Sequence, residues 1–167
     1  MANTFRLIAT YTASTTVSNV VFNSIPNTYQ DLKLLVSARS AASQDDDALY
    51  VKFNSNTSNY YSQVMFDNGS NVFGFRLTTP YAGVISANTT TAEVFSNSEV
   101  YISNYASATK NKSAATFTTN EKNDGNIRHD QAQVNWRDTT PISSLLIDSS
   151  ANILSGSTFY LYGINKS

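Results

Sequence analysis

The run Asp31-Leu32-Lys33-Leu34-Leu35-Val36-Ser37-Ala38-Arg39 decides the fold. Leu32, Leu34, Val36 and Ala38 alternate with Asp31, Lys33, Leu35, Ser37 and Arg39. Successive side chains of a strand point to opposite faces, so this segment has one dry side and one wetter side. The pattern recurs outward in both directions. Phe5, Leu7, Ala9 and Tyr11 alternate with Arg6, Ile8 and Thr10; Leu49, Val51 and Phe53 alternate with Tyr50, Lys52 and Asn54. Ala132, Val134 and Trp136 are separated by Gln133 and Asn135, with Gln131 before them. Further strands are expected at Val17–Phe22, Tyr60–Phe66, Val72–Leu77, Tyr81–Ser86, Glu99–Ser103, Ala114–Thr118, Ile142–Ile147 and Thr158–Ile164.

Turn chemistry separates these runs. Asn23-Ser24-Ile25-Pro26-Asn27, Asp67-Asn68-Gly69-Ser70 and Asn123-Asp124-Gly125-Asn126 carry the residues that tolerate tight hairpin geometry. Pro26, Pro80 and Pro141 fall between strands. No segment shows a helical stripe; the best, Ser40–Ala48, has too few apolar positions. About a dozen short antiparallel strands predict an all-β, antiparallel sandwich or barrel. The 167 residues form one domain, 1–167, with no repeat or linker. In the last strand, Phe159, Leu161 and Gly163 share one face, and Tyr160, Tyr162 and Ile164 the other. A strand apolar on both faces is expected at the centre of the fold, covered by core on one side and by a loop or second subunit on the other.

Composition removes several kinds of chemistry. There is no cysteine and one histidine, so disulfides, thiol catalysis, zinc ribbons and two-imidazole mechanisms are out. Charged residues are 14% and the net charge is −1, which gives no basic face for nucleic acid. Ser, Thr and Asn make up roughly a third of the chain, far above average usage. No secretory leader and no apolar run of membrane-spanning length is expected. The N-x-S/T sequons at Asn56, Asn68, Asn88, Asn111 and Asn165 are read as chance in so Asn-rich a chain.

Catalytic readings find little support. The glutamates are Glu93, Glu99 and Glu121, and Glu93 and Glu99 on extended chain stand about 20 Å apart, too far for a glycosidase pair. His129, in Arg128-His129-Asp130, has no nucleophile elbow with it. Asp45-Asp46-Asp47 lacks the ligand spacing of a calcium loop. No phosphate-cradling glycine motif occurs. No catalytic residue, metal or cofactor is therefore expected. The aromatics are the more informative set. Tyr60, Tyr61, Trp136, Tyr160 and Tyr162 are expected to contact a glycan or a neighbouring subunit, since each has an apolar body and a polar tip. Two polar segments, 104–113 and 119–128, are expected to be loops.

MANTFRLIATYT, IPNTYQDLKLLVSAR, EVYISNYAS and STFYLYGINKS resemble segments of small virion structural proteins of tailed bacteriophages, strongest among those of cyanobacterial and marine phages. The resemblance runs through most of the chain and carries no catalytic motif. It implies a jelly-roll-like β domain on the virion surface, usually oligomeric, that decorates capsids or forms head fibres or tail-fibre tips. The expectation is a non-enzymatic capsid decoration or head-fibre protein, assembled in the host cytoplasm as a homotrimer against the major capsid protein. The alternatives are a tail-fibre tip that holds host surface glycans and, disfavoured by the acid count, a carbohydrate-active enzyme.

Overall fold

The computed structural model describes residues 4–123 and 125–165. It contains twelve strands: β1 (Phe5–Thr12), β2 (Val17–Phe22), β3 (Asp31–Ala38), β4 (Asp46–Phe53), β5 (Tyr60–Asp67), β6 (Val72–Leu77), β7 (Tyr81–Ser86), β8 (Ser96–Ser103), β9 (Lys112–Glu121), β10 (Ile127–Trp136), β11 (Leu145–Ile153) and β12 (Thr158–Ile164). No helix occurs among the described residues. The strands form two antiparallel sheets, one of eight strands in the order β1-β12-β3-β8-β9-β10-β5-β6 and one of four in the order β2-β11-β4-β7. The chain is an all-β antiparallel sandwich.

Pairing is nested. β1 pairs with β12, β2 with β11, β3 with β8 and β4 with β7. Two hairpins, β5–β6 and β9–β10, interrupt this scheme and add four strands beyond β8. The deciding run is β3, whose side chains alternate buried and half-buried along its whole length. Leu32, Leu34 and Val36 meet Leu49, Val51 and Phe53 of β4 and Leu145 and Ile147 of β11 in one core. β12 lies between β1 and β3, with Phe159 and Leu161 fully buried. Gly163 is required there: a Cβ would lie 2.3 Å from the Tyr29 ring.

The larger sheet extends past the edge of the smaller one. β7, at that edge, is buried at all six positions. Ala82 and Ile85 join the main core, while Tyr81 and Val84 join a second cluster with Val64 of β5 and Ala132 of β10. At Gly83, where φ is +123°, a Cβ would stand 2.3 Å from Thr118 Cγ2.

Several strands exceed the sequence expectation. β8 begins at Ser96, β9 runs Lys112–Glu121 and β11 runs Leu145–Ile153, its start shifted from the expected Ile142 because residues 142–144 belong to the connection before it. The extra residues are largely polar, and several inward ones are hydrogen-bonded. Ser96 donates to the Ala38 carbonyl (2.8 Å), and Asn120 donates to the Asp45 carbonyl (3.1 Å) and accepts from Ser86 (2.6 Å). Apolar alternation misses strand ends whose inward groups are satisfied polar ones. The expected loop 119–128 is therefore a shorter turn, with Thr119–Glu121 in β9 and Ile127–Arg128 in β10. The expected loop 104–113 is a connection that ends where β9 begins at Lys112.

Candidate functional site

The outward face of the eight-stranded sheet follows from register. One row crosses the strands as Leu7, Tyr162, Lys33, Tyr101, Ala115, Gln133, Gln63 and Arg76. The next row runs Thr10, Tyr160, Leu35, Glu99, Phe117, Gln131, Met65 and Gly74. Phe117 stands at the middle, 46% exposed. It forms a wall between two shallow depressions. One, of about 430 Å³, is lined by Gln63, Met65, Ala115, Gln131 and Gln133 as well as Phe117. The other, of about 370 Å³, is lined by Leu35, Ser37, Asn97, Thr119 and Tyr160 with Phe117. Charges on this face are few, and Glu99 is held by Lys33 at 2.8 Å. No loop among the described residues covers the outer face of β12: Tyr160 is 39% exposed.

The sequence-selected aromatics divide. Tyr60 and Trp136 lie opposite each other on β5 and β10 but point inward. Their rings stack with centroids 6.1 Å apart, Phe53 packs against both, and each is 1% exposed. The Tyr60 hydroxyl accepts the Phe53 N–H at 2.7 Å. Neither ring is reachable by a glycan or a subunit, because both belong to the core; the adjacent Tyr60-Tyr61 pair puts only its second member outward. Tyr61 carries the Arg137 guanidinium 4.1 Å above its ring. Tyr160 borders the second depression, and Tyr162 is half-buried between Leu7 and Lys33.

Both free edges of this sheet are apolar. At β1, Phe5 is 46% and Leu7 54% exposed. At β6, Val72 is 65% and Phe73 43% exposed, and Phe73 stacks on Phe66 with centroids 4.9 Å apart. Each edge strand carries one charged residue, Arg6 and Arg76.

Most other charges tie segments together. Arg128 donates to Asp130 (2.8 Å) and Asp46 (2.9 Å) and lies 4.5 Å over the Phe66 ring. Tyr81 donates to the fully buried Asp130. Burial and the Asp130 charge push the Tyr81 phenol well above the ordinary tyrosine range. Burial opposes the Arg128 charge, yet its hydrogen bonds and the carboxylates around it hold its pKa above the usual value. Arg39, buried, donates to the Thr90 hydroxyl (2.7 Å) and to the carbonyls of Thr91 (2.8 Å), Val94 (3.0 Å) and Thr90 (3.1 Å). The Lys112 ammonium donates to the carbonyls of Ser107 (2.7 Å), Lys110 (2.7 Å) and Thr139 (3.0 Å), and burial lowers its pKa.

The three consecutive aspartates diverge. Asp45 pairs with Lys122, Asp46 with Arg128, and Asp47 accepts the Ala151 N–H. Among the described residues no cluster of His, Cys, Asp or Glu is arranged to hold a metal. His129 points outward beside Phe117, ring centroids 5.8 Å apart. Glu93 lies in a connection with φ +62°, and Glu121 accepts the Asn123 N–H. Sequence reading passed over Phe117, Gln63, Gln131 and Gln133. The signal was present as the wet half of the alternation in β10, Gln131 and Gln133 beside Ala132 and Val134. Comparison with known proteins finds no matching family model and no curated protein that matches.

Proposed function

We propose that the chain is a non-enzymatic structural protein of a bacteriophage particle, a jelly-roll domain on the capsid surface as a decoration or head-fibre protein, and a homo-oligomer. The carrying observation is the pair of apolar edges. Unpaired strand edges template further pairing, and proteins blunt them with charge, proline or cover. β1 and β6 instead offer Phe5, Leu7, Val72 and Phe73 to solvent, which suits contact with a neighbouring subunit. Closed symmetric assemblies are the norm for such contacts; the trimer and the capsid address come from the sequence resemblance. The nested pairing supports the jelly-roll reading. Without the two inserted hairpins, eight strands remain, paired first with last and so on inward, as when one long hairpin is rolled around a core.

Light scattering on the purified protein tests assembly. An oligomer is expected at micromolar concentration, and Leu7→Lys or Val72→Lys, at the most exposed apolar position of each edge, should shift it toward folded monomer. A monomeric wild type would overturn edge-mediated assembly in free solution. Labelling on particles tests the address: density at the capsid surface supports decoration, and density confined to tail tips replaces it with a receptor-binding role.

A further inference from the structure

We infer that the outward face of the eight-stranded sheet binds a neutral oligosaccharide across Phe117. The site lies between the two edge strands, β1 and β6.

The polar groups of the first depression are unspent. Among the described residues the side-chain amides of Gln63, Gln131 and Gln133 have no hydrogen-bond partner, and they project from the sheet beside one another. Gln133 is directly opposite Gln63 on β5 and directly opposite Ala115 on β9. Cross-strand neighbours of this kind stand about 5 Å apart. Each amide offers two donors and a carbonyl acceptor, so it can pair with a hydroxyl as donor and acceptor together.

Ala115 is the small residue of the row, and it leaves room beside the exposed Phe117 ring. A ring face is apolar, with a negative quadrupole that attracts polarised C–H groups. A ligand that fits both has one face of C–H bonds and a rim of hydroxyls, which is the description of a pyranose. No ionisable residue lines this depression. An anionic or cationic ligand would therefore be desolvated without a counter-charge. The second depression continues the chemistry with Asn97, Ser37, Thr119 and the Tyr160 hydroxyl, whose side chains are likewise without partners among the described residues; its one carboxylate, Glu99, is already paired with Lys33 at 2.8 Å. From Gln63 on β5 to Tyr160 on β12 there are five strand spacings, roughly 24 Å, the reach of a chain of sugars rather than of one ring.

The test titrates purified protein with neutral gluco-, manno- and galacto-configured hexasaccharides and with an oligogalacturonate as the charged control, following side-chain amide resonances by NMR. At least one neutral hexasaccharide should bind and shift the amides of Gln63, Gln131 and Gln133, and the charged control should not. Phe117→Ala should weaken that binding roughly tenfold, and Phe117→Tyr should retain it. The double change Gln131→Ala, Gln133→Ala should weaken it further, with little change in melting temperature because both side chains are exposed. Absence of binding across the neutral panel overturns the inference. So does binding unaffected by Phe117→Ala, or dissociation of the oligomer by Phe117→Ala, which would make this face a subunit contact.

Discussion

Lys112 points an ammonium into the fold and closes it with three main-chain carbonyls from two connections. Removing the donor leaves those three carbonyls without their shared partner. Lys112→Met is therefore expected to destabilise by about 2–4 kcal/mol, read as the shift in urea midpoint; a change under about 0.5 kcal/mol would show that water replaces the ammonium freely. Trp136 supplies the second residue-level expectation. Its burial beside Tyr60 and Phe53 places the only tryptophan in the core, so native fluorescence should be blue-shifted and resist acrylamide quenching. Trp136→Ala should cost about 3–5 kcal/mol and should leave saccharide binding by any folded fraction intact. Sequence alone placed Trp136 on the apolar side of its strand with Val134 and Ala132, opposite Gln131, Gln133 and Asn135, and still offered it as a surface contact; the alternation was the better guide, and the contact reading overrode it because an aromatic ring suits a binding face as well as a core.

At the level of elements, β12 is the keystone of the nested pairing, since it bonds to both β1 and β3 and buries Phe159 and Leu161. Deletion from Thr158 onward should give insoluble protein; a soluble truncation with a cooperative melt would refute this. Gly163→Ala tests the same strand more finely. Its new methyl meets the Tyr29 ring, and the resulting loss of about 1–3 kcal/mol should be relieved by Tyr29→Ala in the double variant. Many strand positions were legible because β3, β4, β7 and β12 are dense in apolar or β-branched residues. The ends of β8, β9 and β11 were not, because Ser96, Asn120 and Asp148 take hydrogen-bond partners distant in sequence. The depth of β7 was also hidden: YAGVIS reads as an ordinary apolar strand, and only the overreach of the larger sheet buries both of its faces.

The molecule as a whole should be sensitive to alkali. The Tyr60 and Tyr81 phenols are both raised above the usual tyrosine value, mainly by burial. Below about pH 10 neither state ionises them and stability is unaffected; above it the unfolded chain releases protons that the native chain keeps. Each phenol should then remove about 1.4 kcal/mol per pH unit. Melting temperature should hold level from neutral pH to about pH 9 and fall steeply beyond about pH 10, less steeply in Tyr81→Phe. An unchanged melting temperature at high pH would contradict the burial of these groups. The nested pairing has a further consequence, in time rather than in space. Phe5 finds its partner at Ile164, so the first strand made waits for the last. At about 5–20 residues per second, Phe5 and Leu7 leave the ribosome many seconds before β12 exists to receive them. During that interval β1 is an unclaimed apolar ribbon, and neighbouring nascent chains on one message present the same ribbon close by. The fold that closes most completely is thus the one whose newborn chain is longest exposed to its own siblings, and its yield should depend on translation rate and chaperone supply more than its final stability would suggest.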